Sequence, residues 1–417
     1  MDVERKQLSG DVPGAQAKGM EVNMREVVVV SAVRTPYGKY LGGLKEIPII
    51  EVGKMAVQSA IERAGVKAEE VQEFYFGNCF SAEAETPSVV GRQVALKAGI
   101  RPEVMAVTVD TACCSSLLAT RLAYQSIAYG MADVAIAGGV ESMSRAALLV
   151  PPTVRWGTKI GPVVMQDFIF GLEYKGYNPV SVDAGEVATE YGVTREEQDL
   201  WAVRSQQRYA TALAEGKFKD EIVPIEFGGK VFDHDEQPRP DVTVEKLAKL
   251  STVFGSLTVT AGNAPGLNDG ATAMILMSAD KAESLGLKPL GKIKMALGCS
   301  TEPRYIATIP AIAIQKLLQK AELTLEQIDL IEINEAFAAM PLVSSLVLAG
   351  GDKAKAAEIR EKINVNGGAI AIGHPIGASG ARIIMTLLYE LERRGGGKGV
   401  AAICGGLAQG EAMLVEV

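Results

Sequence analysis

Residues 64–77, AGVKAEEVQEFYFG, lie over residues 321–334, AELTLEQIDLIEIN, without a gap, pairing Val71 with Ile328, Phe74 with Ile331 and Phe76 with Ile333. Each stretch passes from a helical tail through a polar turn into a short apolar run, the pattern of a helix feeding a buried strand. A second match sets Ala135-Ile136-Ala137-Gly138-Gly139 over Ala402-Ile403-Cys404-Gly405-Gly406. Two halves of one βα design, fused in a single chain, are therefore expected, with one site where they meet.

Outward from these repeats, strand-like and helical runs alternate. Residues 27–33 are continuous and β-branched, residues 50–64 have helical apolar spacing, and residues 73–76 are short and aromatic. That order predicts an α/β fold with buried strands. Residues 134–139 read as a buried strand ending at a tight glycine turn, where backbone can approach a neighbour closely. Residues from about 150 to about 251 differ from both halves. Thr194-Arg195-Glu196-Glu197 is a capping-box pattern that opens a helix to about Glu215, and the polar, proline-broken residues 233–240 read as a surface loop. The whole region is read as an insertion that covers the site.

Composition narrows the function. A chain of 417 residues, 48% hydrophobic and 22% charged, is too long for one ordinary core, and its net charge of −8 opposes a nucleic-acid or membrane-surface role. Any anionic ligand needs a local basic patch. The five cysteines (Cys79, Cys113, Cys114, Cys299, Cys404) form no CxxC pair, so free thiols in a reducing cytoplasm are expected, with no metal. Residues 1–24 contain no apolar stretch and are read as an extended leader outside the two halves, 25–292 and 293–417.

Three segments carry chemistry. Val109-Asp110-Thr111-Ala112-Cys113-Cys114-Ser115-Ser116-Leu117 leads into a helical run to about Ala128, placing Cys113 where a helix N-terminus favours thiolate. Cys114, about 100° further round, should point elsewhere. His374, fixed between Gly373 and Pro375, is one of only two histidines; His234 sits in an acidic loop and reads as a solvated surface residue. Cys404 and Asn334 each end an apolar strand, so strand tips converge on one crevice.

These segments resemble the thiolase family over essentially the full length after the leader. Gly139-Val140-Glu141-Ser142-Met143-Ser144, residues 261–270 (AGNAPGLNDG), Asn334-Glu335-Ala336-Phe337, Gly373-His374-Pro375 and Cys404-Gly405-Gly406 match its motifs in order. The resemblance implies a five-layered αβαβα fold from two similar halves plus a loop domain that holds coenzyme A, in a homodimer or homotetramer. Carried over residue by residue, it makes Cys113 the acyl-accepting nucleophile, His374 its activator and Cys404 the base at the α-carbon. Asn334 would hold a water beside His374, and the N–H groups of Cys113 and Gly406 would form a second oxyanion hole. Coenzyme A is then a substrate and no other cofactor is implied. Its phosphates point to Arg204, Lys246, Lys249 and the segment near Arg155, and its pantetheine arm to Pro265, where a serine is common.

Departures bear on the substrate. Asp110, Thr111, Cys114 and Ser116 give the nucleophile turn a resemblance to ketosynthases. Pro179-Val180-Ser181 replaces the His-Met-Gly segment of short-chain members, and Met340 stands where glutamine is usual. A substrate larger than acetoacetyl-CoA is expected, with the gap filled, on the competing reading, by Phe168-Ile169-Phe170. A short-chain acetoacetyl-CoA thiolase, a carrier-protein ketosynthase and a non-catalytic thiolase-like subunit are the alternatives. Some thiolases also work with a small OB-fold-like accessory subunit.

Overall fold

The computed structural model describes residues 24–80, 88–167, 169, 170, 172 and 174–417; the leader up to residue 23 and Phe168 lie outside the described residues. The main strands are β1 (Val27–Arg34), β2 (Glu73–Gly77), β3 (Met105–Val109), β4 (Val134–Ser142), β5 (Asn268–Ser278), β6 (Gly291–Ser300), β7 (Leu330–Ile333), β8 (Lys398–Gly405) and β9 (Gln409–Glu416). They form one sheet in the order β7-β8-β9-β6-β1-β5-β4-β2-β3, with the short strand Gly38–Lys39 beside β5.

The order is a repeat folded on itself. From the centre outward, β1-β5-β4-β2-β3 mirrors β6-β9-β8-β7, antiparallel for the first two pairings and parallel thereafter. Where β3 would recur, a single parallel bridge joins Ile331 to Ile363. Within the sheet, among the described residues, the halves meet at three residue pairs, Val27 with Ile293, Val28 with Lys292 and Val29 with Gly291.

Helices follow the same plan. α1 (Ile49–Ala64) and α2 (Val90–Lys97) cover one outer face, packing Val52, Val57 and Val94 against Phe74, Phe76 and Ile136. α3 (Ser115–Ala128), before β4, and the late helix Ser379–Arg393, before β8, pack between the two halves among Val27, Val29, Ala137, Ile403 and Met413. Ile309–Lys320 and Ala339–Leu348 cover the other outer face against Ile331, Ile333, Val400 and Ala402. Five αβαβα layers result, because each sheet half has apolar side chains on both faces and both must be covered.

The first repeat match is in register: Phe74 and Phe76 face one outer core, Ile331 and Ile333 the other. The second is not. Phe76 pairs with Gly138, whereas Ile333 pairs with Ala402, so the counterpart of Gly138 is Ala402 rather than Gly405. An odd offset of this kind turns every side chain to the opposite face. Ala135 indeed packs into the central core and Ala402 into the outer one.

Gly138 and Gly139 also lie inside β4 rather than in a turn. A Cβ on Gly138 would stand 2.1 Å from Thr272 O, and one on Gly139 would stand 2.0 Å from Gly377 O. Glycine is required there for backbone contact.

The insertion opens with two short strands and then α4 (Val180–Glu190) and α5 (Arg195–Ala214), packed on the C-terminal half. The capping box is formed: Glu197 N donates to Thr194 Oγ1 at 3.1 Å, and Thr194 N donates to Glu197 Oε2 at 2.8 Å. Residues 233–240 form a loop with exposed His234, but the loop is not wholly superficial. Asp235 is fully buried and takes two hydrogen bonds from Arg34, at 2.6 and 2.9 Å, while Glu221 takes a third at 2.8 Å. A buried guanidinium needs such partners. Among the described residues no helix is long and apolar enough to cross a membrane.

Candidate active site

Beyond β3 the chain bends through Asp110 and Cys113 into α3. Asp110 Oδ1 accepts from Ala112 N at 3.0 Å, and Ser115 Oγ accepts from Thr111 N at 2.9 Å while donating to Ala112 O at 2.6 Å. These bonds hold Ala112 at φ 52°, a left-handed conformation costing about 1 kcal/mol for a residue with a Cβ. Cys113 lies just past this strained corner and lines a cavity. Cys114, at the cap of the helix, turns into the central core, its Sγ 3.5 Å from Ile403 O, and so points elsewhere as expected.

His374 occupies the matching corner of the other half, ahead of Ser379–Arg393. Its N–H donates to Asn268 Oδ1 at 2.9 Å, and Gly373 passes under Asn268 at φ 113°. The ring's tautomer follows from its neighbours. Ser379 Oγ donates to Pro375 O at 2.9 Å and lies 2.6 Å from His374 Nδ1, so the hydroxyl accepts and Nδ1 carries the proton. Nε2 then directs its lone pair toward Cys113 Sγ, 3.1 Å away. Asn334 Nδ2 lies 3.4 Å from the same nitrogen, and its Oδ1 is buried without a protein hydrogen-bond partner.

Cys113, His374, Cys404 and Gly406 line one cavity of about 170 Å³, which sequence reasoning brought together. Pro265 lines it too. Burial, then Arg382, pushes the His374 imidazole down to about 3, so the ring is neutral. Burial raises Cys404 to about 12. Burial, then Cys404, also raises Cys113 well above the usual thiol range, against the expected thiolate: the helix begins only at Ser115, and loss of solvent outweighs its dipole.

The resting pair is thus thiol and neutral imidazole. Alkylation of Cys113 by iodoacetamide should then keep accelerating from about pH 6 to about pH 9, since a raised pKa leaves thiolate scarce until high pH. A rate already flat near neutrality would indicate an ion pair instead.

Sequence reasoning missed the residues that hold this arrangement. Glu141 is buried at the end of β4 and accepts from Asn78 Nδ2 (3.2 Å), Phe80 N (3.1 Å), Cys79 N (3.1 Å) and Gly377 N (3.0 Å). It ties the cavity wall to the His374 loop, and burial raises its carboxyl to about 7 against the bonds from the Phe80, Cys79 and Gly377 backbone. Glu335 accepts from Trp201, Ser205, Asn364 and Ile370, anchoring α5 beside Asn334. Both glutamates stood in recognised motifs; their donors are distant in sequence.

The predicted coenzyme A contacts fare unevenly. Arg204 is engaged by Glu361 at 3.0 Å and Arg360 O at 2.6 Å, Lys246 by Asp241 at 2.8 Å, while Lys249 and Arg155 are exposed; none lines the cavity. Met340 is fully buried in the outer core and forms no part of the acyl pocket, because its side chain packs beneath Ile309–Lys320. Leu172 and Tyr174 line the cavity, Ile169 packs behind with Phe80, Met143 and Ile376, and Phe170 is exposed.

Comparison with known proteins agrees with this geometry. The thiolase N-terminal domain matches residues 27–280 and the thiolase C-terminal domain residues 287–417. An acetyl-CoA acetyltransferase of Syntrophomonas wolfei is 45% identical over 94% of this chain and 99% of its own length. A beta-ketoadipyl-CoA thiolase of Pseudomonas aeruginosa is 38% identical over 94% and 99%. Among solved structures, human mitochondrial 3-ketoacyl-CoA thiolase in complex with CoA superposes with a TM-score of 0.89 at 37% identity, covering 94% of this chain and 98% of that one. The chain belongs to the thiolase family and is an acyltransferase of the thiolase type.

Proposed function

We propose that the enzyme catalyses reversible, CoA-dependent cleavage of a 3-oxoacyl-CoA larger than acetoacetyl-CoA. The observation that carries the chemistry is the contact of 3.1 Å between His374 Nε2 and Cys113 Sγ, in one cavity with Cys404. As the Cys113 sulfur bonds to the 3-oxo carbon, its proton passes to His374. The C2–C3 bond then breaks, leaving the acyl group on Cys113 and an enolate of acetyl-CoA that takes a proton from Cys404. An incoming CoA thiol restores the proton of Cys404 and attacks the acyl-enzyme, releasing the shortened acyl-CoA while the departing Cys113 sulfur takes back its proton from His374. Backbone N–H groups of Cys113 and Gly406 stabilise the tetrahedral oxyanion, and His374 with a water on Asn334 stabilises the enolate. Each donor is worth about 3 kcal/mol in such a role.

Coenzyme A is substrate here, and the steps call for no further cofactor. A homodimer or homotetramer and an OB-fold-like accessory subunit belong to the same proposal, as does a cytoplasmic location.

Support for the larger acyl group is Val180, in place of a longer methionine, on a cavity wall. Each methylene admitted there contributes roughly 0.8 kcal/mol when buried. The short-chain reading is favoured by Leu172 and Tyr174, which occupy the same cavity, and by the name of the Syntrophomonas relative. Measuring kcat/KM for thiolysis across straight 3-oxoacyl-CoAs of increasing length decides between them. A maximum at acetoacetyl-CoA overturns the larger-substrate reading, and no thiolysis of any member overturns the activity.

A further inference from the structure

Pro265, Ala336 and Phe337 line the cavity with apolar surface, Pro265 standing where the pantetheine arm is expected. Cys79, Asp110 and Tyr174 line it as well, with Asp110 in the turn that leads to Cys113. Asp110 is the one Asp, Glu, Lys or Arg among the described residues that line the cavity. Its field reaches Cys113, Cys79 and the Tyr174 hydroxyl. Only its Oδ1 is occupied, by Ala112 N at 3.0 Å, in the bond that closes the nucleophile turn. The Tyr174 ring bears on Gly406, since a Cβ there would stand 2.1 Å from its oxygen.

We propose that Asp110 sets the charge selectivity of the acyl site, rejecting 3-oxoacyl groups that end in a carboxylate and favouring those that end in a hydrogen-bond donor such as an ammonium. The inference rests on the thiolase reading of the same cavity. Asp110 is exposed, so solvent weakens its field, but a carboxylate at the cavity wall still repels a like charge brought against it, and among the described residues no cation lines the cavity to pair with an acidic acyl chain. An ammonium meets the opposite situation, with Tyr174 available as a second acceptor. The carboxylate end that the name of the beta-ketoadipyl-CoA relative describes is therefore the chemistry this cavity excludes.

The test compares three 3-oxoacyl-CoAs of equal chain length ending in methyl, carboxylate and ammonium, with wild type and Asp110→Asn. Asparagine keeps an oxygen for Ala112 N, so the turn is retained while the charge is removed. In wild type the carboxylate chain should have a kcat/KM at least tenfold below that of the methyl chain, and the ammonium chain should match or exceed it. Asp110→Asn should shrink both differences, raising the carboxylate-to-methyl ratio at least tenfold; ratios cancel any common loss of rate. Ratios unchanged by the substitution, or a wild type that prefers the carboxylate chain, overturn the proposal. Failure of wild type to cleave any of the three counts instead against the thiolysis reading, and a shorter acetoacetyl-CoA control distinguishes that case.

Discussion

Replacing Cys113 by Ala is expected to abolish acyl-enzyme formation, whereas Cys404→Ala should still take up one acyl group from acyl-CoA while losing exchange of the α-protons of acetyl-CoA. Acylation needs a nucleophile and the imidazole 3.1 Å away, and both remain in Cys404→Ala. Enolisation needs a base, and removing one lowers rates typically by a hundredfold to ten-thousandfold. Mass spectrometry of the acylated protein and loss of deuterium from labelled acetyl-CoA separate the two reactions. Equal loss of both in Cys404→Ala would end the division of roles. Cys114→Ser should retain most activity, because that sulfur lies in the central core.

A comparably large effect is expected from Gly139→Ala, a change of one methyl group. Its Cβ would lie 2.0 Å from Gly377 O and 2.9 Å from Gly77 O, all backbone and none able to swing aside. Overpacking of that kind costs about 3 kcal/mol. It also lifts the loop that carries His374, and a displacement of about 1 Å at the reacting atoms can cost about a hundredfold in rate. Denaturant midpoints and acylation rates should therefore fall together. Gly65→Ala serves as the contrast: at φ 65° it has nothing within 4 Å, so only the left-handed backbone is penalised, by about 1 kcal/mol. Similar losses for the two would show that β4 can yield.

Much of this was legible because backbone restriction leaves marks in sequence. His374 is bracketed by glycine and proline, Cys113 precedes a helix, and Thr194 with Glu197 spells a cap; each constraint is local. The first repeat match was read correctly since alternating apolar residues identify the buried face. The second failed because a recurring Ala-Ile-x-Gly-Gly string carries no face information, and its offset by three residues was visible only in the pairing of Phe76 with Gly138 and Ile333 with Ala402. Met340 illustrates a related gap. Its place in the family motif, where glutamine is usual, suggested the pocket, but the helix turns its side chain into the core. Arg204 looked free because its partner Glu361 is distant in sequence, whereas Lys246 pairs with the nearby Asp241 across an irregular turn. Leu172 and Tyr174, on an irregular segment, carry no periodic signal at all.

The position of β1 has a kinetic consequence. It lies in the middle of the sheet, and both its partners, β5 and β6, are encoded beyond the whole insertion. At translation speeds of about 5–20 residues per second, it emerges tens of seconds before anything can pair with it. During that interval Val27-Val28-Val29-Val30 is an uncharged, β-branched segment of the sort that recruits other nascent chains. Contacts so distant along the chain also close slowly once available. Recovery of soluble enzyme should therefore be governed less by the final stability of the sheet than by how long this strand waits unprotected, and holding chaperones or cooler growth should raise the yield without changing the folded product.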